Sequence, residues 1–250
     1  MKRGIVLLLG VVLLTLLVSS GTDNEEERRQ VEEERESYEE RRKEIRDKKI
    51  DEYTNIVNSH KKLNIIDIGY YQDIEHEQLL YTYIFENESD KFIAYTPQIQ
   101  VTVFDRDGHV IAEQKDSFSF APAGEKLAGT GSIFTYGKIV DTVTFTPVVK
   151  RDNFHYTLYE TDGALKVSNT NDYFDYDGYP HFTGQVENIF LDDIAPLRVI
   201  IVMKNNNKIV GGVAAYVGSL SIGSTLSFET MDYYYQSHPS YDSYEIYLVR

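Results

Sequence analysis

One pattern narrows the fold of this chain more than any other: a strand, a polar turn and a returning strand, made twice. Residues Ile99 to Ile111 read IQVTVFDRDGHVI. Apolar and polar side chains alternate from Ile99 to Val103, the period of a strand with one buried face. Asp105, Arg106, Asp107 and Gly108 then supply turn chemistry, because Asp bonds its own main chain and Gly accepts positive φ. From Leu197 the chain runs LRVIIVMKNNNKIV, a second β-rich run with a turn of three Asn and a return through Ile209 and Val210.

The doubling extends well beyond the hairpins. Asn87 in IFEN aligns with Asn188 in QVEN, and Asp141 in DTVTF with Asp242 in DSYEI. Between them Val110, Gly124 and Leu127 align with Ile209, Gly223 and Leu226. The repeats are expected to be residues 63–149 and 164–250, with a connector at 150–163. Two copies are too few for a solenoid, and each is large enough for a core of its own. The first copy predicts strands over Gln78–Glu86, Phe92–Phe104, Val110–Phe118, Leu127–Phe134 and Thr142–Val148. The second predicts His181–Glu187, Leu197–Lys204, Ile209–Val217, Thr225–Phe228 and Tyr244–Val249. Short strands at regular spacing with no helix between them read as all-β, one sandwich per copy.

The N-terminus reads differently. Lys2 and Arg3 precede an apolar run from Ile5 to Val18, closed by Ser19, Ser20 and Gly21. Basic start, apolar middle and small exit residues make 1–21 a signal or anchor segment, with everything after it outside the cytoplasm. LLVSSG resembles the end of a bacterial lipoprotein signal, but the cysteine that would carry lipid is missing. Residues 22–62 are densely charged and read as a helical stalk or linker, with Glu25–Arg29, Glu39–Lys43 and Glu44–Lys48 in the favourable i,i+4 order. Val31, Tyr38 and Ile45 recur every seven residues and hint at a coiled coil. The other seam position holds Glu34, Arg41 and Lys48, so oligomerisation through the stalk has only a one-residue stripe behind it. A fully helical stalk would hold the body ~50 Å from the membrane.

A strand, an acidic or Asn turn, a second strand and a Pro/Gly corner together resemble the FxLYD domain. That family is an immunoglobulin-like module of exported bacterial and archaeal proteins. The residues carrying the resemblance are VTVFDRDGHVI with FAPAGEKL, and VIIVMKNNNKIVGG with LSIGSTLSFE. Copy two departs from the aromatic–Asp strand end, with Met203-Lys204-Asn205, and its corner lacks the proline. The resemblance implies two immunoglobulin-like sandwiches in tandem and no catalytic set.

Residue chemistry points the same way. A net charge of −15 with no basic stripe argues against nucleic acid. The lack of cysteine removes disulfides and thiolate chemistry. Asp105–Gly108 and Asp175–Gly178 lack the ligand series of a calcium loop and read as turns. Ser59 and Lys62 match S-x-x-K without its companion motifs, and His76-Glu77 lacks a second His, since position 80 is Leu80. No metal, cofactor or catalytic residue is therefore assigned, and an enzyme is a remote alternative.

Tyr is abundant, at 20 residues, and two Tyr-rich acidic stretches stand out. Tyr173, Tyr176 and Tyr179 lie among Asp172, Asp175 and Asp177; Tyr233, Tyr234 and Tyr235 follow Asp232. These six tyrosines are the candidate ligand-binding residues, for a protein or cell-wall glycan partner, against the alternative that they pack strands. The function that follows is non-catalytic binding or assembly at the cell surface by a single-pass membrane protein. A signal-cleaved, secreted binding protein is the alternative. A periplasm-only reporter fused to Arg250 is expected to be active and a cytoplasm-only one silent, because the basic residues precede the apolar run. The opposite pattern rejects the orientation.

Overall fold

In a computed structural model, residues 29, 32–33, 35–47, 62–156, 164–176, 178–230 and 240–250 are described. The apolar segment 1–21 lies outside them. Among the described residues no helix is long and apolar enough to cross a membrane.

The charged segment is helical over residues 35–47 and at the described positions just before them. Arg29–Glu33 (3.9 Å) and Arg35–Glu39 (3.3 Å) form i,i+4 pairs on its surface. Tyr38 and Ile45, two members of the heptad stripe, are both more than half exposed. Every strand belongs to a separate unit, Val57–Arg250.

That unit is all-β. Its first half contains β1 (Leu63–Asp73), β2 (Gln78–Asn87), β3 (Phe92–Tyr95), β4 (Gln98–Phe104) and β5 (Val110–Ser117). There follow β6 (Phe120–Ala121), β7 (Lys126–Phe134), β8 (Thr142–Val148) and β9 (Phe154–Tyr156). The second half contains β10 (Leu165–Phe174), β11 (Pro180–Asn188), β12 (Leu197–Asn205), β13 (Lys208–Val217), β14 (Thr225–Glu229) and β15 (Ser243–Val249). All pairings are antiparallel.

The pairing order repeats. The first half makes sheets β1-β2-β7 and β5-β4-β8, and the second makes β10-β11-β14 and β13-β12-β15. A small extra sheet, β6-β3-β9, belongs to the first half. The expected run Phe92–Phe104 is broken into β3 and β4 at Thr96 and Pro97; Thr96 sits at φ 47°. Besides the short β6 and β9, two long strands escape the sequence pattern, β1 and β10, the opening strand of each copy. Both lie at sheet edges and both carry irregular register, at Ile65/Asp67 and at Ser168/Asn171. A bulge interrupts the period of two that alternation depends on.

The aligned asparagines turn out to be the same structural device. Asn87 is fully buried, and its Nδ2 donates to the carbonyls of Phe92 (2.7 Å) and Ala121 (3.0 Å). Asn188, also fully buried, donates to Asp192 (2.9 Å) and Leu220 (3.1 Å). Each Oδ1 accepts a nearby amide, from Ser89 or Phe190. Each main-chain carbonyl accepts from the aligned glycine, Gly124 at φ 72° or Gly223 at φ 69°. One buried side chain thus donates to carbonyls of two neighbouring segments, which matters because an unpaired buried polar group costs about 1–3 kcal/mol.

The two halves share a core. Ile200, Val202, Ile209, Ala214 and Val249 of the second half join the buried cluster built on Tyr81, Tyr83, Phe85, Ile99, Val101 and Val103 of the first. A second cluster around Val199, Ile201, Met203, Phe182 and Phe228 lies within the second half alone. Strand β12 therefore buries both faces, its even residues toward the first half and its odd residues toward β11 and β14. Close approach at this seam needs glycine. A Cβ on Gly212 would sit 2.6 Å from Thr82 Oγ1, and one on Gly69 would collide with the main-chain oxygen of Ile209. Thr130 Oγ1 lies 3.1 Å from the Gly212 carbonyl, and Thr82 Oγ1 3.1 Å from Thr130 Oγ1.

Asn188→Ala is expected to cost about 1–3 kcal/mol, since it removes one donor from each of the Asp192 and Leu220 carbonyls and the acceptor of the Phe190 N–H. Gly212→Val, a volume added at the seam, is expected to cost about 1–3 kcal/mol. Urea denaturation of the two variants checks both figures. A Gly212→Val protein as stable as the parent would mean that the seam is loosely packed.

Candidate binding surface

The turn joining β10 to β11 is built by Asp175. Its main-chain N–H donates to the Tyr179 carbonyl (3.0 Å), Gly178 N–H returns to its carbonyl (3.1 Å), and its Oδ1 accepts from Tyr179 N–H (2.8 Å). The turn between β4 and β5 uses Asp105, His109 and Gly108 in the same way. Both Asp-x-x-Gly motifs are thus hairpin turns. Asp105, Asp107 and His109 do bring their ligand atoms within 4.8 Å of one another on the surface. Asp105 Oδ1, however, is already engaged by the amides of Asp107 (3.0 Å) and His109 (2.9 Å).

Side chains around the β10–β11 turn divide by strand parity. Tyr173 faces outward, its ring stacked on His181 with centroids 5.0 Å apart, and its hydroxyl donates to Glu229 Oε1 (2.6 Å). His181 Nε2 lies 3.2 Å from Asp175 Oδ2. On the other face Phe174 stacks with Tyr241 at 5.9 Å, and the Tyr241 hydroxyl donates to Asp172 Oδ2 (2.6 Å). Burial, with the Asp172 bond and charge added to it, raises the Tyr241 pKa. Tyr241 also reaches Phe182 (5.6 Å), which meets Tyr244 edge-on at 4.9 Å.

The sequence candidates accordingly separate. Tyr176 stands at the tip of the turn with its side chain fully exposed. Tyr173 is 42% exposed, and Tyr179 is half-buried. Tyr233, Tyr234 and Tyr235 lie outside the described residues. Sequence reasoning missed Phe174, His181 and Glu229 as members of the same surface. Phe174 is 60% exposed, and the acidic-aromatic composition at 172–176 was the available signal for it. Glu229 is brought in only by the pairing of β11 with β14.

A second tyrosine cluster, in the first half, is interior. Tyr81 and Tyr83 on β2 point their hydroxyls at Asp116 on β5, Tyr81 at 2.9 and 3.0 Å and Tyr83 at 3.0 Å. Gln114 Nε2 donates to the Tyr81 hydroxyl (2.7 Å) and lies 3.2 Å from Asp116 Oδ1. The two rings stack at 6.2 Å and pack against Phe145 of β8. These bonds join the β1-β2-β7 sheet to an edge of the β5-β4-β8 sheet. Burial raises both phenol pKa values, the Asp116 charge and hydrogen bonds raise them further, and the Arg198 charge opposes the rise. The cluster is a polar brace across the core.

No protein-family description and no curated protein matches the chain.

The phenol brace sets a pH response. An unfolded tyrosine ionises near pH 10, whereas folded Tyr81 and Tyr83 hold their protons to higher pH. Their stabilisation is complete below about pH 10. Above it the unfolded chain releases protons the folded chain keeps, so stability falls as pH rises. Tyr83→Phe keeps the ring and removes the proton, so the loss between about pH 10 and 11.5 should become shallower by ~1.4 kcal/mol per pH unit. Urea melts across that range give the slope, and an unchanged slope assigns the alkaline loss to other groups.

Proposed function

We propose that this chain is a membrane-tethered extracytoplasmic protein carrying tandem immunoglobulin-like modules of the FxLYD type on a charged stalk. Its role is non-catalytic binding or assembly at the cell surface, with a protein or cell-wall glycan as partner. Support for the modules comes from strand order. An immunoglobulin-like sandwich sets its A, B and E strands in one sheet against a second sheet that holds C and F. With the small β6-β3-β9 sheet set aside, β1-β2-β7 against β5-β4-β8, and β10-β11-β14 against β13-β12-β15, group in that way in both halves. Support for the tether is the charge pattern of residues 1–21.

The observation that carries the binding reading is the exposed end of the β10–β11 hairpin. Most large rings in the strands are buried or braced, as Tyr81, Tyr83 and Phe85 are. Tyr176 is wholly in solvent, with Phe174 and Tyr173 beside it in the chain and also exposed. Exposed aromatic groups with rigid backing are what interfaces draw most of their energy from.

The test is retention of the body, residues 22–250, on isolated cell envelopes. Tyr176→Ala should lower the bound fraction several-fold while leaving the melting temperature unchanged, because this side chain is fully exposed. Equal retention of the parent and variant proteins would remove the hairpin end as the binding surface.

A further inference from the structure

We infer that the partner segment taken by the β10–β11 end is a cationic polypeptide, one presenting Lys or Arg side chains. This inference rests on the binding reading above and adds the chemistry of the ligand. Two observations carry it. The surface is aromatic on both sides of β10, with Tyr173 stacked on His181, Phe174 stacked on Tyr241, and Tyr176 at the tip. It is also anionic, with Asp172, Asp175 and Glu229 set around those rings.

The charges of Asp172 and Glu229 are not neutralised by the bonds described. Tyr241 donates to Asp172 and Tyr173 donates to Glu229, and both donors are neutral phenols. Such bonds orient a carboxylate and leave its net charge in place. Cations are also missing from the surrounding sequence: neither Lys nor Arg occurs from 167 to 197 or from 209 to 249. Of the two lysines at the β12–β13 end, Lys204 is held by Glu245 at 2.7 Å and Lys208 is exposed.

An Arg or Lys side chain profits from both features together. Its charged head interacts with a tyrosine face by cation–π attraction and pairs with a carboxylate beside the ring. A neutral glycan could stack on the rings but would gain little from the two carboxylates Asp172 and Glu229. Nucleic acid and anionic lipid would be repelled. The same chemistry in extended form is a peptide with several basic residues, able to span from Tyr176 to Glu229.

Full-length protein in detergent, titrated with a nona-arginine peptide, tests this inference; a nona-glutamate peptide and a chito-oligosaccharide serve as comparisons. Nona-arginine should bind saturably and nona-glutamate should not. Tyr176→Ala and Glu229→Gln should each weaken nona-arginine about tenfold with no change in melting temperature. Glu229→Gln alters the net charge only from −15 to −14 (−15 + 1), so a tenfold loss reports a local contact and not general attraction to an acidic protein. Glutamine still accepts the Tyr173 hydrogen bond, which keeps the platform assembled. Nona-arginine bound equally by parent and variants, or not bound saturably, overturns the inference. Chito-oligosaccharide binding that Tyr176→Ala weakens, with nona-arginine silent, also overturns it while leaving the binding surface itself intact.

Discussion

The double-sided burial of β12 is the constraint on which the arrangement of the β-body depends. Val199, Ile201 and Met203 fill the core of the second half, while Ile200 and Val202 complete the core of the first. Fully burying one such aliphatic side chain is worth about 1.5–3 kcal/mol, more than the ~1 kcal/mol net of a typical hydrogen bond. The seam is accordingly apolar first. Its threonines, Thr82 and Thr130, serve to satisfy the polar atoms that close approach would otherwise strand. The glycines at 69 and 212 follow from the same requirement, since backbones that approach this closely leave no room for a Cβ.

Within each half, order at the loop end comes from a single asparagine. Asn87 and Asn188 sit at the last residue of a central strand, where the chain leaves the sheet and two loops must cross it. The carbonyls of Phe92 and Ala121 in one copy, and of Asp192 and Leu220 in the other, each take a bond from the asparagine there. An amide side chain supplies two donors and an acceptor in one place, which no hydroxyl or carboxylate does. The neighbouring turn then fixes the returning strand, through Gly124 in one copy and Gly223 in the other. A proline opens that turn in the first copy, Pro122, and Ser221 does so in the second. Its carbonyl, common to both residue types, is the atom the turn uses.

The flank between first and last strands is latched differently in the two halves. In the first, the Gln72 side chain donates to the Lys138 carbonyl (2.7 Å) and accepts from Val140 N–H (3.0 Å). In the second, Asp172 accepts from the Tyr241 hydroxyl, and Phe174 stacks on the same ring. An amide latch is compact and polar, whereas the phenol latch brings a large ring to the surface and charge with it. The phenol latch thus sets Tyr241 and Phe174 together beside Asp172 at that end of the second half.

Much of the strand pattern was legible in the sequence because alternation and turn chemistry act locally. Ile99–Val103 alternates, Asp105–Gly108 and Asn205–Asn207 turn, and the Asn87/Asn188 and Gly124/Gly223 spacing marks a duplication. The strands β1 and β10 were not legible, since bulges at Ile65/Asp67 and Ser168/Asn171 break their period. Nor does a run such as VIIVM say which residues face which partner; period two sorts side chains into two faces without naming what covers each. Tyrosine posed the same problem. Tyr81 and Tyr176 are one residue type, yet one is braced by Asp116 in the core and the other stands in solvent. Sequence alone determined the all-β class, the doubling, the acidity and the turns. Tertiary structure decided which tyrosines are interior, that Glu229 joins Tyr173, and that the two cores meet at β12, because each depends on contacts between residues far apart in the chain.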